Sequence, residues 1–140
     1  MILFAASGLM FPQQAKAASP SAARFDGTWS VTLVCQDHTD ATSRALGYTF
    51  HFLAQVKNGV LHGEHGTKGV PTWLEIDGKI QPDGAADLHA NGLTNRPAYS
   101  LRNVETGTPY AYQVRAHFEG ARGTGSRVGG RICNYSFVKE

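Results

Sequence analysis

The sequence predicts an all-β protein, an antiparallel up-and-down barrel of about eight strands. Three observations point to it: apolar and polar residues alternate in several segments, glycine-rich turns separate these segments, and the two cysteines lie in the first and last of them. At 140 residues, with 16 glycines and 17% charged residues, the chain suits a single domain of short strands joined by tight turns. An open two-sheet sandwich is the alternative.

The first 17 residues have the composition of a signal peptide. The apolar run of residues 2–11, ILFAASGLMF, is too short to cross a bilayer as a stable helix. Ala15 and Ala17 supply the small residues that a signal peptidase requires, so we expect cleavage after Ala17 and export to the periplasm or out of the cell. Because no Lys or Arg precedes the apolar run, either a basic segment lies upstream of Met1 or the leader is truncated.

The predicted cleavage site and export imply where the mature domain begins and that its cysteines meet an oxidising environment. Residues 18–24 are small, polar and interrupted by proline, so we expect a flexible linker. Residues 25–140 are expected to form the barrel domain, with no membrane span once the leader is removed. In an oxidising compartment Cys35 and Cys133 are expected to form a disulfide. Two buried free thiols are the alternative.

Alternation and one turn predict the first three strands. Residues 27–35 alternate between apolar and polar side chains, as in a strand with one buried face. After a polar loop, residues 46–57 place three aromatic side chains on one face. Asn58-Gly59 then predicts a type I′ hairpin, since both central residues of that turn need positive φ, and the third strand follows over residues 60–66.

Turn signals separate the remaining strands. Pro82-Asp83-Gly84 predicts one turn and Gly129-Gly130 a two-residue hairpin, whereas residues 94–109 are weakly patterned and predict a long loop. An even number of strands lets the first and last pair antiparallel and close a barrel. The remaining strands are predicted over residues 72–80, 86–93, 110–118, 122–128 and 131–138.

The cysteines predict the register of that closure. Cys35 ends the first strand and Cys133 begins the last predicted strand, where antiparallel neighbours would bring them together. Equal steps in opposite directions from this pair then place Trp29 opposite Lys139.

A short motif at residues 26–29, D-G-T-W, resembles the G-x-W start of lipocalin-like and avidin-like barrels. In those families the tryptophan closes one end of the barrel beneath a ligand cavity, and a basic side chain of the last strand packs against it; the resemblance implies Lys139 for that role. The chain also resembles small uncharacterised exported bacterial β-barrel proteins with a G-T-W start and a terminal R-x-C segment, here residues 131–133. That second resemblance implies no activity.

Aromatic residues are the candidates for ligand contacts, because barrel sites lie at mouths and in long loops and a buried tyrosine hydroxyl needs a partner. A plain aromatic core that fills the barrel is the alternative. The loop of residues 94–109 would be the lid. Arg122, Arg127 and Arg131 would give one rim a basic character that attracts anions, unless they form only a solvated face. The ligand-contact candidates are Trp29, Tyr48, Trp73, Tyr99, Tyr110 and Tyr112.

Residues 62–65, H-G-E-H, contain zinc-ligand types. In a strand, however, His62 and Glu64 share a face while His65 points to the opposite one, so we expect no metal site unless Gly63 forms a bulge. No catalytic residue and no cofactor is predicted. The formal net charge of +2, with dispersed Lys and Arg, does not predict nucleic-acid binding.

Three functions remain from the sequence. The first is an exported, non-enzymatic barrel that binds a small molecule or a partner protein of the envelope. The second is a structural or inhibitor-type envelope module that acts through its surface loops. The third is a small metal-dependent hydrolase that uses His62, Glu64 and His65. A cavity favours the first, an exposed apolar loop patch the second, and convergence of both histidines the third.

Overall fold

The computed structural model of this protein describes Gly8 and residues 21–140. The predicted signal peptide, apart from Gly8, and residues 18–20 of the predicted linker lie outside the described residues. Residues 21–24, also assigned to that linker, contribute to a 3-10 turn, Ala22–Phe25, which is capped by the Ser21 hydroxyl. Arg24 in this turn donates a hydrogen bond of 2.8 Å to the carbonyl of Pro82, so the turn rests on the barrel.

Eight strands form a closed antiparallel barrel in the order β1-β10-β9-β8-β7-β6-β5-β4, and β2 and β3 form a separate two-stranded sheet. The barrel confirms the predicted fold class and excludes the open sandwich. Two further 3-10 turns, Pro97–Tyr99 and Leu101–Asn103, lie in the predicted long loop. The strands are β1 Gly27–Cys35, β2 His38–Thr39, β3 Arg44–Ala45, β4 Tyr48–Lys57, β5 Val60–His65, β6 Leu74–Lys79, β7 Ala85–Leu93, β8 Pro109–Glu119, β9 Arg122–Arg127 and β10 Cys133–Lys139.

The register of β1 and β10 is the one predicted from the cysteines. Cys35 pairs with Cys133 at one end of the ladder, and Trp29 pairs with Lys139 at the other. A disulfide joins Cys35 to Cys133, which confirms that prediction. The first and last strands are therefore neighbours that are both hydrogen-bonded and covalently linked.

One end of the barrel, the closed end, is filled by side chains. The indole N–H of Trp29 donates a hydrogen bond of 2.8 Å to the carbonyl of Phe25, and the Trp29 ring meets Phe118 edge-to-face at 5.3 Å between ring centres. All three side chains are buried. Tight turns join the strands here, and the Asp26 carboxylate accepts hydrogen bonds from the backbone N–H groups of Asn58 and Gly59.

The longer connections gather at the opposite end, the open end, because β1, β5, β7 and β9 all run toward it. The connections at the open end comprise residues 36–47, 66–73, 94–108 and 128–132.

Strands β4 and β6 each begin two residues later than predicted, for local reasons. The backbone N–H of Leu46 donates a hydrogen bond of 2.8 Å to the carbonyl of Ala98 across the mouth, instead of to a neighbouring strand. Thr72 has a φ of +74°, which is incompatible with a strand.

The connection between β9 and β10 differs from its prediction. Instead of a two-residue hairpin at Gly129-Gly130, residues 128–132 form a five-residue connection between the strands. The reason lies in Arg131, which leaves the ladder and turns its side chain into the mouth, where it is only 3% exposed. Within residues 21–140, the structure contains no helix of the length and apolarity that a bilayer crossing needs.

Candidate functional site

A cavity of about 320 Å³ lies at the open end, between the barrel mouth and the loop of residues 94–108, which we call the lid. Barrel strands supply one wall and the lid supplies the other. Its aromatic and apolar lining includes Tyr48, Phe50, Leu93, Tyr99, Leu101 and Tyr110.

Strand alternation positions the aromatic wall. Tyr48 and Phe50 are two residues apart on β4 and so point to the same face, with 4.8 Å between their ring centres. The His65 ring stacks on Phe50 at 3.8 Å, and its Nδ1 lies 2.9 Å from the carbonyl oxygen of Thr72. This wall is thus held from behind by β5 and by the connection after it.

Tyrosine hydroxyls lie beneath and within the mouth. The hydroxyls of Tyr112 and Tyr135 hydrogen-bond to each other at 2.6 Å, and the Tyr110 ring is nearly parallel to that of Tyr112, with 6.0 Å between centres. Burial raises the pKa values of Tyr48, Tyr110, Tyr112 and Tyr135. These hydroxyls therefore remain protonated at physiological pH, able both to donate and to accept hydrogen bonds.

Arg131 ties three connections together at the mouth. Its guanidinium donates hydrogen bonds to the carbonyls of Tyr99 at 2.8 Å, Gln36 at 2.7 Å and Leu46 at 2.9 Å. The same group lies 5.2 Å from the centre of the Tyr48 ring. The lid gains a second anchor where the Asn103 side chain donates to the carbonyl of Arg44 at 3.0 Å. Arg131 is therefore a structural clamp that holds the lid over the cavity.

Replacing Arg131 by Met is expected to lower the free energy of unfolding by about 3 kcal/mol, because three carbonyls lose a charged donor. Urea denaturation measures this loss, and faster proteolysis within the lid should accompany it. Arg115→Met is the matched control: Arg115 lies on the outer face, 79% exposed and 3.9 Å from Asp87, where an ion pair contributes little. Equal losses in both variants would contradict the clamp.

Arg127 enters the cavity from the end of β9. Its guanidinium lies over the Tyr112 ring, 4.4 Å from the ring centre, and its Nε is buried without a hydrogen-bond partner among the described residues. The backbone at Gly130 passes so close that a Cβ there would lie 2.7 Å from an Arg127 nitrogen. Glycine at this position therefore leaves room for the guanidinium.

The structure places the predicted ligand-contact residues in different parts of the barrel. Tyr48, Tyr99 and Tyr110 line the cavity, and Tyr112 lies beneath Arg127. Trp73 is buried outside the lining, with an indole N–H that has no partner among the described residues. Trp29 is at the closed end, away from the other candidates.

The three arginines of the predicted basic rim also separate. Arg127 and Arg131 line the cavity, whereas Arg122 starts β9 near the closed end. The predicted contacts did not include Phe50, Leu93 or Arg102, although all three line the cavity. The period-two pattern was a sufficient signal for Phe50, because it shares a face with Tyr48. No local pattern marked the other two.

The H-G-E-H segment places its two histidines on opposite faces of β5. His65 stacks on Phe50, while His62 and Glu64 lie on the outside, with Nε2 and Oε1 separated by 3.4 Å. Glu75 on β6 brings a third donor atom, and the three donor atoms lie within 4.8 Å of one another. His65 takes no part in this exposed cluster.

Comparisons of the chain with profiles of protein families, with curated proteins and with solved structures found no match. The fold and the site therefore define the class: a closed eight-stranded antiparallel barrel with one disulfide and a cavity beneath a loop at one end. This architecture is compatible with a calycin-like fold.

Proposed function

We propose that this protein is an exported, non-enzymatic β-barrel that binds a small molecule in the cavity at its open end. The observation that carries the proposal is the cavity itself: about 320 Å³ bounded by strands on one side and by an anchored lid on the other. Ligand sites are mostly apolar concave spaces of roughly 300–1,000 Å³ with a few polar groups. The volume lies at the lower limit, so the ligand is small.

Export is part of the same proposal. A disulfide that joins β1 to β10 suits an oxidising compartment, either the periplasm or the cell exterior, and the composition of residues 1–17 supports a leader. The likeness to small exported bacterial barrel proteins belongs with this inference. Because His65 faces the opposite side of β5 from His62 and Glu64, we do not propose the metal-dependent hydrolase.

A second candidate, an envelope interaction module, is favoured by apolar side chains on the loops of the open end. Val128 and Ile132 lie in the same connection and are 49% and 59% exposed, and Val70 in the β5–β6 connection is 50% exposed. Exposed apolar side chains that adjoin one another are typical of protein contact sites, and Val128 and Ile132 share one connection. A partner that covers this end would close the cavity, so the two candidates differ in whether the isolated protein binds small molecules.

Native mass spectrometry of the protein purified from its own host tests the first candidate. We expect an added mass that is lost on denaturation, together with thermal stabilisation by members of a panel of neutral and charged small compounds. Retention of a protein and no stabilisation by the panel would instead support the interaction module.

Tyr99→Ala is expected to weaken binding of a stabilising compound by about fivefold to tenfold, since an aromatic wall of the lid is lost. Isothermal titration of the panel compound measures the change. Leu53→Ala is the matched control, because Leu53 is exposed on the outside of β4; it should leave affinity unchanged. If Tyr99→Ala and Leu53→Ala bind alike, the compound does not occupy the cavity.

A further inference from the structure

The charged residues that line the cavity all have the same sign. They are Arg102, Arg127 and Arg131, and within the described part of the chain no Asp or Glu side chain lines the cavity. The ion pairs among residues 21–140 involve other residues, such as Asp37 with Arg44 and Asp87 with Arg115. The cavity therefore carries positive charge that the described protein residues do not neutralise directly.

The arginines differ in how far their hydrogen-bonding capacity is used. Arg131 already donates to three backbone carbonyls, and Arg102 is exposed in the lid. Arg127 is half-buried, contacts the face of the Tyr112 ring and, among the described residues, makes neither an ion pair nor a side-chain hydrogen bond. Arg127 is therefore the cavity arginine that is partly buried and still makes no side-chain hydrogen bond among the described residues, which makes it the best-placed partner for an enclosed anion.

Partial burial makes an unpaired guanidinium costly, because desolvation disfavours a charge that has no counterion. At Arg131 burial is the main cause of a lowered pKa, and the neighbouring positive charge of Arg127 acts in the same direction. An anion between the mouth residues would relieve this repulsion. The planar fork of a guanidinium matches a carboxylate with two parallel hydrogen bonds.

The remaining lining residues indicate what kind of organic group carries the anionic group. Phe50, Leu93, Leu101 and Val104 present apolar surface, and Tyr99 and Tyr110 add aromatic rings with hydroxyls. A free inorganic anion would leave this surface uncovered. Because Arg131 is engaged by three carbonyls and Arg102 is exposed to solvent, Arg127 alone is partly buried without an acceptor, and a single negative charge matches it better than two.

We propose that the cavity takes a small organic monocarboxylate with an aromatic or branched aliphatic body, and that its carboxylate pairs with Arg127. This inference rests on the proposed small-molecule function and adds the chemical class of the ligand. Arg127 recognises the carboxylate of the ligand, and the aromatic wall contacts its aromatic or aliphatic part. Arg131 holds the lid over the bound ligand.

Isothermal titration of the intact protein tests the class of ligand. The probes are benzoate, phenylacetate, 3-phenylpropionate and isovalerate, each beside its primary amide, with phenyl phosphate and inorganic phosphate as further arms. We expect at least one carboxylate to bind about tenfold or more tightly than its amide, because a charge-assisted pair is replaced by neutral contacts.

Arg127→Gln should remove this preference, so that acid and amide bind alike, and Arg127→Lys should retain part of it, since the charge remains without the fork. Arg115→Gln removes the same charge from the outer face and should retain the wild-type preference. Arg127 makes no side-chain hydrogen bond among the described residues, so circular dichroism should show all three variants folded.

The outcomes separate the two proposals. Equal binding of acid and amide by the wild-type protein overturns the carboxylate class and leaves a neutral-ligand cavity, whereas an acid preference that survives Arg127→Gln overturns the pairing of the carboxylate with Arg127. Tighter binding of phenyl phosphate or inorganic phosphate than of every carboxylate also overturns it. If no acid, amide or phosphate binds, and the wider panel gives no stabilisation, both the ligand class and the small-molecule function are wrong.

Discussion

Replacing Cys35 and Cys133 together by alanine is expected to lower the free energy of unfolding by about 4 to 5 kcal/mol. The bond closes a loop with a sequence separation of 98 residues, and a crosslink over so long a loop removes much of the entropy of the unfolded chain. Both half-cystines are buried, so their loss also leaves small voids. Urea denaturation followed by tryptophan fluorescence measures the change.

Wild-type protein in the presence of dithiothreitol is the control, since it loses the bond but keeps both sulfur atoms. Its loss of stability should approach that of the double variant. A change below about 1 kcal/mol in both samples would mean that the β1–β10 ladder alone fixes the ends of the chain. Because Cys133 is two residues from Arg131, we also expect faster proteolysis of the lid in the double variant.

The barrel fold could be predicted because the sequence signals for its strands and turns are local and recur along the chain. In β8, for example, the buried positions Tyr112, Val114, Ala116 and Phe118 alternate with exposed residues. Closure needed only one long-range observation, the cysteine pair, which fixed the register between Trp29 and Lys139. Period two also identifies which side chains share a face.

The alternation of apolar and polar residues does not indicate how deep in the barrel a side chain lies. The sequence therefore predicts both Trp29 and Tyr48 as ligand contacts, although they lie at different depths. Cys35 pairs with Tyr48 in the β1–β4 ladder, and Trp29 is six residues earlier on β1, roughly 20 Å away at strand rise. The strand directions therefore place the two rings at opposite ends. The pairing of Cys35 with Tyr48, which separates them, is a contact between two strands that the alternation of residues does not contain.

The lid clamp could not be predicted, because its partners are distant in the chain. Arg131 contacts carbonyls that are 32, 85 and 95 residues away, and backbone carbonyls leave no signature in a sequence. The predicted glycine hairpin followed the local rule correctly, but the three charge-assisted hydrogen bonds of the Arg131 guanidinium favour the longer connection over a compact turn. Arg122 and Arg127 also look equivalent in the sequence. They lie at the two ends of β9, so the length of that strand places them at different ends of the barrel.

Trp29→Ala is expected to lower the free energy of unfolding by about 3 to 5 kcal/mol, the range for truncating a buried large aromatic side chain. Trp29 is 0% exposed and contacts Phe118 edge-to-face. Its loss also leaves the carbonyl of Phe25 without the indole donor. Because Trp73 is then the remaining tryptophan, far-ultraviolet circular dichroism in urea is the appropriate measurement.

Trp29→Phe separates packing from hydrogen bonding, because it keeps an aromatic ring and removes the indole N–H. We expect a smaller loss, about 1 to 2 kcal/mol. Ligand affinity at the open end should be unchanged in this variant, since Trp29 belongs to the closed end and β1 carries Val31, Leu33 and Cys35 between it and the mouth. Loss of binding in a stably folded Trp29→Phe protein would show that the two ends are coupled, and the separation of a structural end from a binding end would then be wrong.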